Sequence, residues 1–265
     1  MRKIILFLCS VVLFFACKNE TKNVSAKNST NQERSQAEKI IDSVIKKAGG
    51  ETYETASIDF DFRDKHYQSK RRCGQFSFTR TFKDSTGKQI KDVLSNEGFT
   101  RYVNQEKQNL PDSLATSYSN SVNSVHYFMQ LPFGLNDTAV NKELLGETTI
   151  ENKPYYEIKV WFDAEGGGED HEDEYIYWVN KNNYYIDYFA YSYEVNGGGM
   201  RFRKAYNPRV IKGLRFVDYK NYAPKEAEEA NLENLEQLYQ NDKLKLFSAI
   251  ENKNIEVSLA PTDCG

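Results

Sequence analysis

The densest group of ligating side chains lies in the stretch AEGGGEDHEDE, which places Glu165, Glu169, Asp170, His171, Glu172, Asp173 and Glu174 within ten residues. Hard cations such as calcium take several oxygen ligands from a flexible backbone, so Glu169, Asp170, His171 and Asp173 are the candidate ligands of a calcium site. Their spacing matches neither an EF-hand nor a repeat calcium loop, and a solvated acidic loop is the plainer reading. Arg201 and Arg203 follow the second glycine-rich stretch. The three histidines, His66, His126 and His171, fall on a strand end, a helix and a loop. No HExxH, GxSxG, CxxC or glycine-rich phosphate motif occurs, and the triplets Gly166 to Gly168 and Gly197 to Gly199 lack the strand-to-helix setting of a dinucleotide site. The expectation is of no catalytic residues and no enzyme, with a hydrolase assembled in space as the alternative.

The chain of 265 residues carries 35 basic and 38 acidic side chains, interspersed, for a formal charge of −3. Nucleic-acid binders cluster a positive excess against phosphates, so nucleic acid is excluded as the main partner. Aromatic residues are the compositional excess: Tyr 18, Phe 16 and Trp 2. Tyr and Phe suit pleated, half-buried surfaces, which leans the chain toward sheet.

Residues 1–17 read MRKIILFLCSVVLFFAC, a cationic start and a short apolar run closed by Ala16 and Cys17. This is the pattern of a secretory signal, too short to span a bilayer. A small residue before cysteine resembles the lipobox of bacterial lipoproteins, although Phe14 stands where that pattern prefers an aliphatic. The resemblance implies cleavage before Cys17 and acylation of it, palmitate included, which anchors the chain without spanning the membrane. Lys18 in place of Asp implies the outer membrane, with the protein facing the periplasm or exposed at the surface. Residues 1–16 are thus read as signal peptide, 17–35 as lipidated cysteine and flexible tether rich in Asn, Ser, Thr and Lys, and 36–265 as one domain. Loss of Arg2 and Lys3 makes the mature chain two charges more negative. Cys73 and Cys264 then remain. In an oxidising compartment they suggest one disulfide, the alternative being two separate thiols.

The elements that must position any site follow from periodicity. Ala37, Ile40, Ile41, Val44, Ile45 and Ala48 form one stripe of a helix that Gly49-Gly50 ends. Ile58, Phe60 and Phe62, then Phe76, Phe78 and Phe82, alternate with polar residues as strands do. Two further short strands end near Val103. A helix is expected over Asn109 to Gln130, a short one over Asp137 to Gly146, and a last one over Lys225 to Gln240. Between Glu147 and Tyr222 strands succeed one another, with turns at Asn152-Lys153, Asn182-Asn183 and Asn207-Pro208. The alternate connections, Glu165 to Glu174 and Asn196 to Gly199, therefore share one rim. A strand pair near Leu244 to Phe247 and Ile255 to Leu259 closes the chain.

Several central strands are apolar on both faces: Tyr156, Ile158, Val160 and Phe162 oppose Tyr155 and Trp161, and Phe189, Tyr191, Tyr193 and Val195 oppose Ile186, Tyr188 and Ala190. Either helices cover both faces, or one concave face is a hydrophobic cavity partly plugged by helices. The order of elements resembles the LolA/LolB-like fold, and the segments AEKIIDSVIKKAGG, HYFMQLPFGLND, ENKPYYEIKVWFD, YIYWVN and YYIDYFAYSYEVNGGGMRFR resemble an uncharacterised Bacteroidota lipoprotein family assigned to that superfamily. The resemblance implies an α+β domain, a curved antiparallel half-barrel of about ten strands over a few helices, with a cavity for acyl chains. Phe60, Phe62, Phe76, Phe78, Trp161, Trp178, Phe189 and Tyr191 are the cavity candidates. The expected function is a membrane-anchored monomer that binds a lipid or other hydrophobic ligand. The alternatives are an envelope interaction module with a filled core, and a cation-regulated binder.

Overall fold

The computed structural model describes residues 34–165, 172–194, 197–261 and 263. Helix α1 (Gln36–Ala48) begins at a reciprocal cap: the Glu38 N–H donates to Ser35 Oγ at 3.2 Å and the Ser35 N–H donates to Glu38 Oε2 at 2.6 Å. Two of the orphan donors of the first turn are thereby satisfied. The helix stops at Gly49, where φ is +135° and a Cβ would stand 2.6 Å from Leu214 Cδ2. Only glycine fits that backbone and that approach.

Strands β1 (Ala56–Phe62), β2 (Lys65–Arg72), β3 (Gln75–Lys83), β4 (Gln89–Ser95), β5 (Gly98–Val103) and β6 (Glu106–Lys107) form an antiparallel meander. A second meander runs through β7 (Val140–Ile150), β8 (Lys153–Phe162), β9 (Glu174–Asn180), β10 (Ile186–Tyr193), β11 (Gly199–Ile211), β12 (Leu214–Pro224) and β13 (Leu244–Ile250). The last strand, β14 (Asn252–Leu259), pairs with β1. Only Glu251 separates β13 from β14, so one length of chain borders both seven-stranded sheets. Asp218 pins this seam: Arg209 Nη1 and Nη2 each donate to its carboxylate at 2.8 Å, and the Asn252 N–H donates to Oδ1 at 3.1 Å. The result is an α+β fold of curved, unclosed antiparallel sheet, as expected, with fourteen strands among the described residues where about ten were anticipated.

Helix α2 (Asp112–Met129) lies between the sheets. Val122, His126 and Met129 are buried, and His126 packs on Phe60, Tyr67 and Phe78 of the first sheet. Phe128 stacks on Phe189 of the second at 5.7 Å. The concave face of the second sheet is covered by α1 and part of α2, around Ile41, Ile158, Val160, Tyr177 and Phe189. Its convex face is covered by the turns and short helix α3 (Leu235–Gln240), which set Leu232, Leu235 and Leu238 over Trp178, Tyr188 and Phe202.

Four local expectations are corrected. Residues 225–240 are two 3-10 turns followed by α3, not one helix. Their leucines meet a flat sheet face, which turns can cover as well as a helix. The segment after Asp137 is the edge strand β7, because its apolar residues pair across β8 and tertiary pairing overrides a short helical pattern. Asn207-Pro208 is a bulge inside β11, and the hairpin turns instead at Lys212-Gly213, both at positive φ. The strand β2, with its cationic sequence KHYQSKRR, is carried by buried Tyr67 and Ser69 alone and gives little apolar signal. The fourth correction concerns Ile186: a register shift before Tyr188 turns it to the concave side with Phe189.

Candidate functional site

The two-sided aromatic pattern resolves into different covers on the two faces. On the concave side α2 does not fill the space, and an open cavity of about 780 Å³ remains between it, the second sheet and the seam. That volume lies within the range of about 300–1,000 Å³ common for small-molecule sites. The sheet wall is aromatic. Tyr175 of β9 and Tyr191 of β10 are register partners, stacked at 5.5 Å, and Tyr193 continues the row at 5.9 Å from Tyr191. Phe162 meets Tyr175 edge-on at 5.8 Å. The facing wall comes from α2 and is polar: Ser113, Ser117, Asn120 and Ser124 follow at helical spacing along one stripe of the lining. Phe62, Arg63 and Phe247 border the cavity from the seam side, Phe247 with 60 % of its surface exposed. The cavity is therefore amphipathic.

Burial keeps Tyr127, Tyr175 and Tyr219 neutral. Burial pushes Tyr175 well above its ordinary range and pushes Tyr219 up to about 12. Burial likewise raises Tyr127, whose hydroxyl lies 3.0 Å from that of Tyr177. Such groups offer hydrogen bonds without charge. The charged groups of the lining are Arg63, Asp173 and Arg203. Arg203 is 6 % exposed, and its Nη2 donates to the Tyr191 hydroxyl at 2.8 Å.

Helix α2 is held on its other side by ion pairing. Asp92, fully buried, accepts from Arg80 Nη2 at 2.6 Å and from Arg101 Nε at 2.6 Å. Arg80 Nη1 reaches on to Ser121 Oγ at 2.7 Å, and the Arg101 guanidinium lies 3.5 Å from the Tyr118 ring centre. Sequence reading passed over this clasp, because the three charges sit on three strands.

Of the residues expected to line a cavity, Phe62 and Tyr191 line this one. Phe189 lies beneath it, fully buried and stacked on Phe128 and Tyr191. Phe60 and Phe78 are instead core residues of the first sheet around His126, and Phe76 packs on Phe78 at 4.9 Å and under Arg71. Trp178 is corrected: it is fully buried on the convex face against Phe202 at 5.4 Å. Trp161 shares that face by strand alternation, since Val160 and Phe162 take the concave side. Glu169, Asp170 and His171 lie outside the described residues, as do Cys17 and Cys264. Asp173 borders the cavity, and Tyr175 donates to it at 3.5 Å. No group of three His, Cys, Asp or Glu able to hold a metal occurs among the described residues. No helix among them is long and apolar enough to cross a membrane. The polar stripe of α2 and Arg203 went unassigned by sequence reading, although Ser113, Ser117, Asn120 and Ser124 carried a legible spacing.

The family profile of DUF6503, described as a family of unknown function, matches residues 2–252. The chain belongs to DUF6503. Membership of an uncharacterised family was the expectation from the quoted segments. No curated protein matches this DUF6503 chain. Among solved structures it is similar to a LolA superfamily protein from Nitrosomonas europaea, at 12 % identity and TM-score 0.45 over 83 % of this chain and 94 % of that one. It is similar also to a DUF1329 family protein from Desulfovibrio piger, at 10 % identity and TM-score 0.42 over 84 % and 93 % of the two chains. A putative outer membrane lipoprotein-sorting protein domain from Vibrio parahaemolyticus gives 6 % identity and TM-score 0.41 over 70 % and 85 %.

Proposed function

We propose that this DUF6503 protein is a non-catalytic cell-envelope lipoprotein that holds a lipid or other hydrophobic ligand between α2 and the concave face of its second sheet. The observation that carries this reading is the cavity of about 780 Å³ walled by Tyr175, Tyr191, Phe162 and Phe128. Each methylene moved from water onto such a wall contributes about 0.8 kcal/mol, enough for a chain of ordinary length to bind without any specific polar contact. The sequence around Cys17 supports an acyl anchor in the outer membrane, and residues 18–35 supply the tether between anchor and domain. A binding cavity on a tethered body reaches bilayer-borne ligand without leaving the surface that supplies it.

The test is mass spectrometry of material extracted from the full chain purified from membranes. A lipid or other amphiphile recovered near one per protein is the expected result, together with intact-mass evidence of acylation at Cys17. A chain that carries nothing, and that fails to take up a fluorescent fatty acid, removes the ligand-binding reading and leaves an interaction module.

A further inference from the structure

Several other arginines of the described residues have an acid or amide partner. Arg80 and Arg101 share Asp92, Arg209 chelates Asp218, and Arg71 Nε donates to Gln130 Oε1 at 3.3 Å. Arg203 differs. It is 6 % exposed and lines the cavity. Its single hydrogen bond is to the Tyr191 hydroxyl, while Nε and Nη1 are buried with no acceptor among the described residues.

The rings around it do not complete the account. Phe128 lies 4.0 Å from the guanidinium carbon, Tyr191 5.0 Å and Phe189 5.4 Å. Rings attract the face of a guanidinium, whereas its N–H groups point outward in its plane and need acceptors. A planar cation clamped by aromatic faces, with two in-plane donors unfilled, has the geometry that a phosphate or carboxylate satisfies through paired hydrogen bonds. The fit is improved by the setting, since a low-polarity surround strengthens such a pair and penalises the lone charge. Phe128 lies over the face of the group, and the in-plane donors Nε and Nη1 are buried, so side chains of the lining must make way for a headgroup to reach them.

We propose that the ligand of this cavity is an anionic amphiphile whose phosphate or carboxylate pairs with Arg203 while its tail lies along the tyrosine row. This inference rests on the cavity reading given above and adds the class of headgroup. The hydroxyls of Ser117 and Ser124 and the amide of Asn120 then face the polar end rather than the tail.

The test compares cis-parinaric acid with its methyl ester, two probes with the same fluorescent tail, on the full chain in a non-ionic detergent, with inorganic phosphate added as competitor. The acid is expected to bind about tenfold or more tighter than the ester, as loss of charge-assisted hydrogen bonds to a buried cation implies. In Arg203→Gln the two are expected to bind alike, and in Arg203→Lys part of the difference returns. Equal affinity for acid and ester in the unaltered chain overturns the headgroup assignment and leaves the cavity reading standing. Failure of both probes to bind overturns the two together. Saturable phosphate binding that Arg203→Gln abolishes, with neither tailed probe bound, also overturns the amphiphile and leaves Arg203 as a site for a free anion. The acid-to-ester ratio of the unaltered chain needs no variant, so it stands even where Arg203→Gln unfolds.

Discussion

Asp92 has no exposed surface and neutralises two guanidinium groups, those of Arg80 and Arg101. A buried ion pair adds little over a well-packed apolar substitute, but breaking one strands a charge at about 3–5 kcal/mol. Asp92→Ala strands two, and it also loosens the Arg80 contact to Ser121 of α2. We expect a loss of that order in urea unfolding, with the double variant Asp92→Leu/Arg80→Met recovering part of it; an unchanged midpoint in Asp92→Ala would show the clasp to be idle. His126 gives a second prediction at this scale. Burial against Phe60, Tyr67 and Phe78 holds its imidazole pKa down at about 3, with repulsion from Arg71 and Arg80 in the same sense, and the bond from Nε2–H to the Thr79 carbonyl only partly offsets this. The unfolded chain binds a proton near pH 6.5 that the native chain refuses until about 3. Stability contributed by the neutral ring is therefore intact above pH 6.5 and declines as pH falls, by up to about 1.4 kcal/mol per pH unit. Unfolding titrations at pH 7, 6 and 5 should show a shallower decline in His126→Gln than in the unaltered chain.

At the scale of elements, α2 is the part that makes a cavity out of a sheet. Its three faces do different work: Val122, His126 and Met129 pack, Phe128 reaches the second sheet, and the Ser113, Ser117, Asn120 and Ser124 stripe stays off it. Small polar side chains cannot fill the gap to the tyrosine row, and the contacts of Tyr118 and Ser121 to the arginine clasp, with the packing of Val122, His126 and Met129, hold the helix off that row. Ser117→Trp places a large ring in open space rather than in packed core, so it should block uptake of a hydrophobic probe while moving the thermal midpoint little. Probe fluorescence and circular dichroism of the same sample test both halves, and undiminished uptake would place the ligand elsewhere. The convex side shows the contrast. Leu235 has no exposed surface, and its truncation to alanine should cost about 2–5 kcal/mol, measured by denaturant unfolding, without changing probe affinity.

At the scale of the whole molecule, the last described residue, Asp263, lies against the end of β2. Cys73 is disulfide-bonded, and Arg72 Nη2 donates to the Asp263 carbonyl at 3.2 Å, beside Cys264. We propose Cys264 as the partner; a bridge closing so long a loop stabilises by about 4–5 kcal/mol through the unfolded ensemble. Peptide mapping under non-reducing conditions should recover the two cysteines joined, and the double serine variant should lose a comparable amount of stability. Residues 36–48 and 112–129 were legible as helices, and most strands of the second sheet as strands, because amphipathic period is a local property. Where local pattern and pairing disagreed, as in β7 and the bulge at Asn207, pairing prevailed.

The amino-acid sequence by itself determined the class, the helices α1 and α2, the two-sided aromatic strands and the family. It also held the four polar residues of α2 in a readable stripe. Only the tertiary structure decided which aromatic face is sealed and which is hollow, since that depends on where covers from distant parts of the chain land. Trp178 and Tyr191 look alike in sequence, each an aromatic on a buried strand, yet one lies under α3 and its preceding turns and the other opens on the cavity. The lone charge of Arg203 belongs to the same class of fact: a side chain has or lacks a partner only once three dimensions have set its neighbours.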